Sequence, residues 1–112
     1  MAKVFGVHTI ELRPGGDEQE FKKLIREQLF PAGARLGWKG YILKGDRGER
    51  VGKYAVIWEI QSMEQRDRFY PALDQPTEEA KRLLGSMLDE FDKRSDLYVA
   101  DWRMTDYIEQ GE

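Results

Sequence analysis

The sequence predicts an α+β domain whose elements follow the order β-α-β-β-α-β. Two patterns carry this prediction: alternating apolar residues of strand type, and apolar residues repeating at helical spacing. Breakers rich in glycine and proline separate the segments. A chain of 112 residues suits one domain with one core, so we take residues 1–112 as a single domain.

The N-terminal part of the sequence predicts a strand followed by a helix. Residues 3–13 alternate as a strand does, and a Pro-Gly-Gly breaker ends them. Asp17 and Glu20 form a capping box that starts a helix. Pro31 and Gly33 are expected to bend or end that helix. Its apolar stripe has helical spacing: Phe21, Leu24, Ile25, Leu29 and Leu36.

The middle of the chain predicts a hairpin that leads into a helix. Residues 38–44 and 52–60 are strand-like, and the polar loop 45–50 joins them. Ser62 and Gln65 form a second capping box, so the strand leads directly into a short helix.

The last third predicts one more helix and one more strand. The helix restarts at Asp74 or Thr77, and residues 97–108 alternate as the final strand. The resulting order is that of the ferredoxin-like fold, in which helices cover one face of a four-stranded antiparallel sheet. The last helix has a regular apolar stripe: Ala80, Leu83, Leu84, Met87, Leu88 and Phe91.

Composition excludes several classes of protein. The net charge of −3 is spread over interspersed acids and bases, which disfavours a nucleic-acid partner. No apolar run is long enough to span a membrane, and the first strand begins too early to leave room for a signal peptide. Cysteine is absent, so there is no disulfide framework. A cytoplasmic protein is therefore expected, with neither a nucleic-acid nor a membrane partner.

The two faces of the predicted sheet differ in character. Compact aliphatic residues on one face, Val7, Ala55, Ile57 and Val99, are expected to lie beneath the helices. The opposite face would be a large exposed apolar patch, and such patches are normally covered by a partner. Its members are mostly aromatic or bulky: His8, Ile10, Tyr54, Val56, Trp58, Tyr98, Trp102 and Met104.

Two stretches resemble a known group of proteins. The first strand ends Leu12-Arg13-Pro14-Gly15, and the third strand runs through residues 57–62 into Glu64-Gln65-Arg66-Asp67-Arg68. These stretches are similar to NIPSNAP-type sequences within the dimeric α/β-barrel superfamily, which also includes proteins related to antibiotic-biosynthesis monooxygenases.

The resemblance implies a homodimer in which two sheets pair face to face and close a barrel. The aromatic face would then line the barrel lumen. One departure concerns the site, because NIPSNAP-like first strands often carry Tyr-Glu-Leu-Arg where this chain has Phe5-Gly6-Val7-His8. Gly6 and His8 therefore stand where the resemblance leads us to expect an acid and a cation.

His8 is the candidate catalytic residue, because it is the chain's one histidine and belongs to the aromatic face. A desolvated imidazole that titrates near neutrality suits proton abstraction from a phenol or enol. The competing interpretation is a buried histidine satisfied by Tyr54 or a backbone carbonyl. A lone histidine among carboxylates supports neither a metal nor another cofactor, so we predict none.

Aromatic rings on the same face predict a pocket for a flat ligand. The alternative is a filled dimer core without a cavity. The predicted ligand-binding residues are Gly6, His8, Tyr54, Val56, Trp58, Tyr98 and Trp102, and Trp38 or Tyr41 would complete the wall.

The leading hypothesis is a homodimeric barrel that binds a small apolar or aromatic molecule. In its catalytic form it is a cofactor-independent monooxygenase or isomerase with His8 as the base. The alternative is a non-catalytic dimerisation or ligand-sensing module. An RNA-recognition motif shares the element order, but the acidic charge and the first strand disfavour it.

Overall fold

The computed structural model describes residues 2–111. Met1 and Glu112, which the predicted domain includes, lie outside the described residues. The helices and strands are β1 Val4–Leu12, α1 Glu18–Leu24, a π-helical turn Ile25–Leu29, α2 Phe30–Arg35, β2 Lys39–Lys44, β3 Tyr54–Ile60, α3 Met63–Phe69, α4 Glu78–Leu84, α5 Met87–Ser95 and β4 Val99–Ile108.

The four strands form one antiparallel sheet in the order β2-β3-β1-β4. The predicted β-α-β-β-α-β order and four-stranded sheet are therefore confirmed. In the register of the sheet, His8 lies opposite Val56 of β3 and opposite Met104 of β4. The register between β1 and β4 shifts between Glu11 and Leu12, near the start of β4.

Two of the predicted helical regions show further detail. The first, expected to bend or end before Gly37, continues past Pro31 and ends at Arg35, and a π-helical turn precedes the proline. In that turn the Phe30 N–H donates to the carbonyl of Ile25, and the wider turn relieves the clash a proline ring makes in a regular helix. The second region is divided at Gly85, whose φ of 57° ends α4 before α5 begins.

Helices cover the aromatic face of the sheet, so the predicted assignment of its two faces is wrong, except that Val99 lies on the helix side as predicted. Tyr54, Val56, Trp58 and Ile60 are each at most 5% exposed, and they pack in the main core with Phe21 and other helical residues. Val7, Ala55 and Ile57 alternate with these positions and are only partly buried, on the face that the described helices leave open.

Two glycines explain why a bulky indole fits beneath the helices. A Cβ added at Gly33 of α2 would lie 2.2 Å from a ring carbon of Trp58, and one added at Gly40 of β2 would lie 2.9 Å from it. The ring occupies the space that these missing side chains leave. Large residues can therefore pack under a helix where the facing residues are small.

No helix within residues 2–111 combines the length and the apolar character needed to cross a bilayer.

Candidate functional site

A cavity of about 550 Å³ lies between the sheet and the helices. Its floor comes from β1, β3 and β4, and its walls come from the helices and the loop after α3. The floor residues are Gly6, His8, Trp58, Ile60, Val99, Trp102, Met104 and Asp106. The wall residues include Leu29, Ala32, Gly33, Leu36, Trp38, Arg66, Tyr70, Leu84, Leu88, Phe91 and Asp92.

His8 and Trp102 form the central polar contact of the floor. The Trp102 Nε1–H donates a hydrogen bond of 2.7 Å to His8 Nδ1, and the two rings meet edge-on with centroids 5.6 Å apart. Burial lowers the pKa of the His8 imidazole, and the nearby Asp106 carboxylate opposes this effect more weakly. The imidazole is therefore held neutral near pH 7.

Asp106 and Arg66 form a second polar pair beside the imidazole. Arg66 Nη1 donates to Asp106 Oδ2 at 3.3 Å, and Arg66 Nε bonds Asp67 at 3.0 Å. Asp106 lies opposite Gly6, and a Cβ on Gly6 would lie 3.3 Å from Asp106 Oδ1. The absence of a side chain at Gly6 therefore leaves room at this part of the floor.

Aromatic rings surround the rest of the cavity. Trp38 stands between Trp58 and Tyr70, with ring centroids 6.0 Å and 5.5 Å away, and Phe91 lies 5.8 Å from Trp102. All of these are tilted or edge-to-face contacts, the arrangement that aromatic pairs prefer. The Trp38 Nε1–H is buried and has no hydrogen-bond partner among the described residues.

The cavity meets solvent at an acidic rim. Tyr70 lies there with Asp74 and Asp92, both exposed. Burial, followed by these two carboxylates, raises the pKa of Tyr70 to about 12. Burial and the neighbouring aspartates, Asp74 first among them, also raise the pKa of Asp92. Neither aspartate forms an ion pair within residues 2–111.

The structure brings together four of the predicted ligand-binding residues. Gly6, His8, Trp58 and Trp102 line the cavity. Their predicted location in a lumen between two sheets is wrong, because the cavity lies on the helix side of a single subunit.

The other three predicted ligand-binding residues do not line this cavity. Tyr54 and Val56 are buried in the core, and the Tyr54 hydroxyl donates to Glu18 Oε1 at 3.0 Å. Tyr98 is half-buried against the same core. The hydroxyl of Tyr54 is therefore engaged away from His8, whose partner is Trp102.

Several cavity residues had no signal in the sequence alone. Tyr70, Asp74 and Asp92 come from different segments that meet only in the folded chain. Asp106 could have been found, because it continues the alternation through Trp102 and Met104 along β4. Residues 2–111 contain no cluster of three or more histidine, cysteine or carboxylate side chains that could hold a metal ion.

The charged residues of the opposite face are mostly paired with one another. Glu11 accepts from Lys53 at 3.1 Å, and Asp101 accepts from Arg103 at 2.9 Å. Glu59 binds Lys3 at 2.7 Å and also accepts from the Tyr41 hydroxyl. These carboxylates thus form ion pairs.

Comparison with known proteins identifies the fold. The chain matches no family model and none of the curated proteins. Solved structures do match along nearly the whole chain. A NIPSNAP family protein from Agrobacterium tumefaciens is 18% identical, with 94% of this chain and 90% of that chain covered and a TM-score of 0.63. The fold is ferredoxin-like.

Two further structures agree. A dabb family protein with a ferredoxin-like fold from Mesorhizobium loti is 13% identical, with 99% of this chain and all of that chain covered and a TM-score of 0.63. A NIPSNAP-like domain protein from Burkholderia xenovorans is 16% identical, with coverages of 98% and 85% and a TM-score of 0.62. The predicted ferredoxin-like fold is confirmed, and the solved structures that share it include NIPSNAP family proteins.

Proposed function

We propose that this chain is a small-molecule-binding protein whose cavity takes a small apolar or aromatic molecule. The observation that carries the proposal is a cavity of about 550 Å³ with an imidazole set in a floor of aromatic and aliphatic side chains. Small-molecule sites are typically clefts of about 300–1,000 Å³, mostly apolar, with a few well-placed polar groups. The size and the lining of the cavity both meet this description.

Tryptophan fluorescence tests the proposal directly. The chain has three tryptophans, and Trp38, Trp58 and Trp102 all line the cavity. We expect the flat quinol 1,4-dihydroxynaphthalene, added under nitrogen, to quench the tryptophan fluorescence in a saturable way. N-acetyltryptophanamide corrects for absorption by the probe.

A blocking variant shows whether the probe occupies the cavity. Ala72→Phe places a ring at an exposed position that lines the cavity, whereas Ala34→Phe places the same ring at an exposed helix position outside it. We expect the first variant to weaken binding and the second to leave it unchanged. Equal binding by both variants, or no saturation in the wild type, would rule out this site.

The catalytic form of the proposal is a cofactor-independent monooxygenase or isomerase with His8 as base. The hydrogen bond from Trp102 favours the alternative, a non-catalytic ligand-sensing module. A neutral imidazole has one nitrogen lone pair available to accept a proton, and Trp102 already occupies it. If the protein raises the rate of oxygen uptake by 1,4-dihydroxynaphthalene above the protein-free rate, and His8→Gln abolishes this increase, the catalytic hypothesis would be supported.

We also propose that a second copy of the chain covers the open face of the sheet. Its centre is apolar, with Phe5, Val7 and Ile57 all partly exposed. The acids around it are already neutralised, as in the pairs of Glu59 with Lys3 and of Glu11 with Lys53. A face that is apolar and balanced in charge suits a copy of itself better than a strongly charged partner.

A stable homodimer of this kind should bury more than about 1,000 Å² in total. Sedimentation at micromolar concentration is expected to give twice the 13.1 kDa mass of one chain. A monomer under those conditions would contradict the proposed pairing without affecting the cavity, which belongs to one subunit.

A further inference from the structure

The hydrogen bond between Trp102 and His8 restricts what the imidazole can offer a ligand. An indole N–H can only donate, so His8 Nδ1 must be the acceptor of the 2.7 Å bond. An accepting nitrogen carries no proton. The proton of the neutral ring is therefore on Nε2, and this nitrogen is a donor.

The Nε2 atom of His8 is available to the cavity. It has no hydrogen-bond partner in the described part of the chain, and it is not fully buried, since the one fully buried, unpartnered side-chain polar atom there is Trp38 Nε1. His8 itself lines the cavity. A ligand in the cavity can thus meet a free N–H at this point of the floor.

The surroundings keep the imidazole in this neutral form. Burial lowers its pKa, and the carboxylate that opposes the effect, Asp106 of β4, is shared with Arg66 of α3. Asp92 of α5 and Asp96, which directly follows that helix, also line the cavity. Burial is the larger of the effects on the ring.

We infer that Trp102 is a positioning residue that makes His8 a hydrogen-bond donor, and that the cavity selects uncharged aromatic molecules with an acceptor oxygen, such as aromatic ketones. This inference rests on the proposed small-molecule function. It adds that the ligand carries a hydrogen-bond acceptor. A bound molecule without an acceptor would leave the His8 Nε2–H unpaired in a cavity from which most water is excluded. An unpaired buried donor costs affinity.

Nitrogen NMR of the imidazole tests the positioning role without any ligand. Because the chain has one histidine, a protein labelled with ¹⁵N in its histidine ring gives the signals of His8 alone. We expect the proton of the neutral ring on Nε2 at pH 7 to 8. A proton on Nδ1 would overturn the inference, and the wild-type spectrum decides this even if no variant folds.

Two matched variants separate the hydrogen bond from the ring that makes it. Trp102→Phe removes the donor, so we expect a mixture of both neutral forms and protonation at higher pH. Trp38→Phe makes the same chemical change at a tryptophan whose N–H has no partner, and it should leave the His8 signals in place. An unchanged His8 spectrum in Trp102→Phe would contradict the inference.

A pair of probes tests the ligand class. Acetophenone and α-methylstyrene share one shape, but only the ketone has an acceptor oxygen. One hydrogen bond of ordinary net strength gives a preference of about 2- to 12-fold for the ketone, measured by NMR titration. His8→Leu should abolish the preference, and His8→Gln, which retains a donor, should keep part of it.

The outcomes distinguish this inference from the proposed function. Equal binding of both probes overturns the acceptor requirement and leaves small-molecule binding standing. Binding of neither probe, together with no saturation by 1,4-dihydroxynaphthalene, removes the proposed function and the ligand class with it.

Discussion

Replacing Gly33 with alanine is expected to destabilise the protein even though Gly33 belongs to a helix. In an unobstructed helix interior this change stabilises by about 0.5–1 kcal/mol, because glycine loses more backbone freedom on folding. Here the added Cβ would lie 2.2 Å and 2.3 Å from two ring carbons of Trp58, whereas ordinary contacts begin at 3.4 Å. The overlap exceeds 1 Å, and the atoms are those of a rigid ring.

The indole has little room to move away from the new methyl group. Gly40 also lies close to the ring, and the Phe30 ring packs edge-on with its centroid 5.8 Å away. Overpacking of this kind typically costs about 1–3 kcal/mol. Subtracting the helical gain leaves a net loss of up to about 2.5 kcal/mol of unfolding free energy, and about 1 kcal/mol at the middle of both ranges.

The sign of the effect should reverse when the ring is shortened. Trp58→Phe removes the outer ring carbons that the Cβ would meet. In that background Gly33→Ala should stabilise by about 0.5–1 kcal/mol. Urea unfolding followed by circular dichroism, at one protein concentration, measures all four proteins of the double-mutant cycle.

Ala34→Gly provides the matched control, because residue 34 is the exposed neighbour in the same helix. It should destabilise by a similar amount in both backgrounds, since it reports only the helical term. Stabilisation by Gly33→Ala in the Trp58 protein, or the same sign in both backgrounds, would refute the packing argument.

Three further predictions follow from the sheet, the imidazole and a helix cap. Ile57→Glu on the open face should convert the proposed homodimer to a monomer in sedimentation. Leu83→Glu, at an exposed apolar position on α4, should leave the dimer intact. If both variants remain dimers, the open face is not the dimer interface. Because the pKa of His8 is lowered in the folded state, the unfolded chain binds a proton first as the pH falls below 6.5. Stability should therefore decline between pH 6.5 and 5.5 by at most about 1.4 kcal/mol per pH unit, and the same titration of His8→Gln should lack this decline. The Asp17 side chain accepts hydrogen bonds from the backbone of Gln19 and Glu20, so Asp17→Ala should lower the free energy of unfolding by about 1 kcal/mol, and no measurable change would show that the cap contributes nothing.

The tertiary structure keeps the predicted alternation of the aromatic residues but places them beneath the helices instead of on the open face. The alternation along β3 was visible in the sequence, but it could not tell which face the helices cover. Gly33 and Gly40, which come from other segments, leave the space in which Trp58 lies beneath the helices. Residue size in one strand was therefore a poor guide to its partner.

His8 illustrates the same limit at the level of chemistry. Its place on the cavity side of β1 followed from counting residues along the strand. Its role as a donor follows from Trp102, which lies 94 positions later and reaches it through the pairing of β1 with β4. The sequence cannot distinguish a histidine that acts as a base from one that acts as a hydrogen-bond donor, because the two differ only in which nitrogen carries the proton.

The sequence by itself determined the order of the elements, the starts of the capped helices and the alternation of the strands, because these depend on neighbours a few positions apart. Only the tertiary structure decided which side of the sheet holds the cavity, how Pro31 fits within a continuing helix and which nitrogen of His8 accepts the hydrogen bond from Trp102. Those outcomes depend on contacts between residues that are distant in the chain, and their geometry exists only once the helices have packed on the sheet.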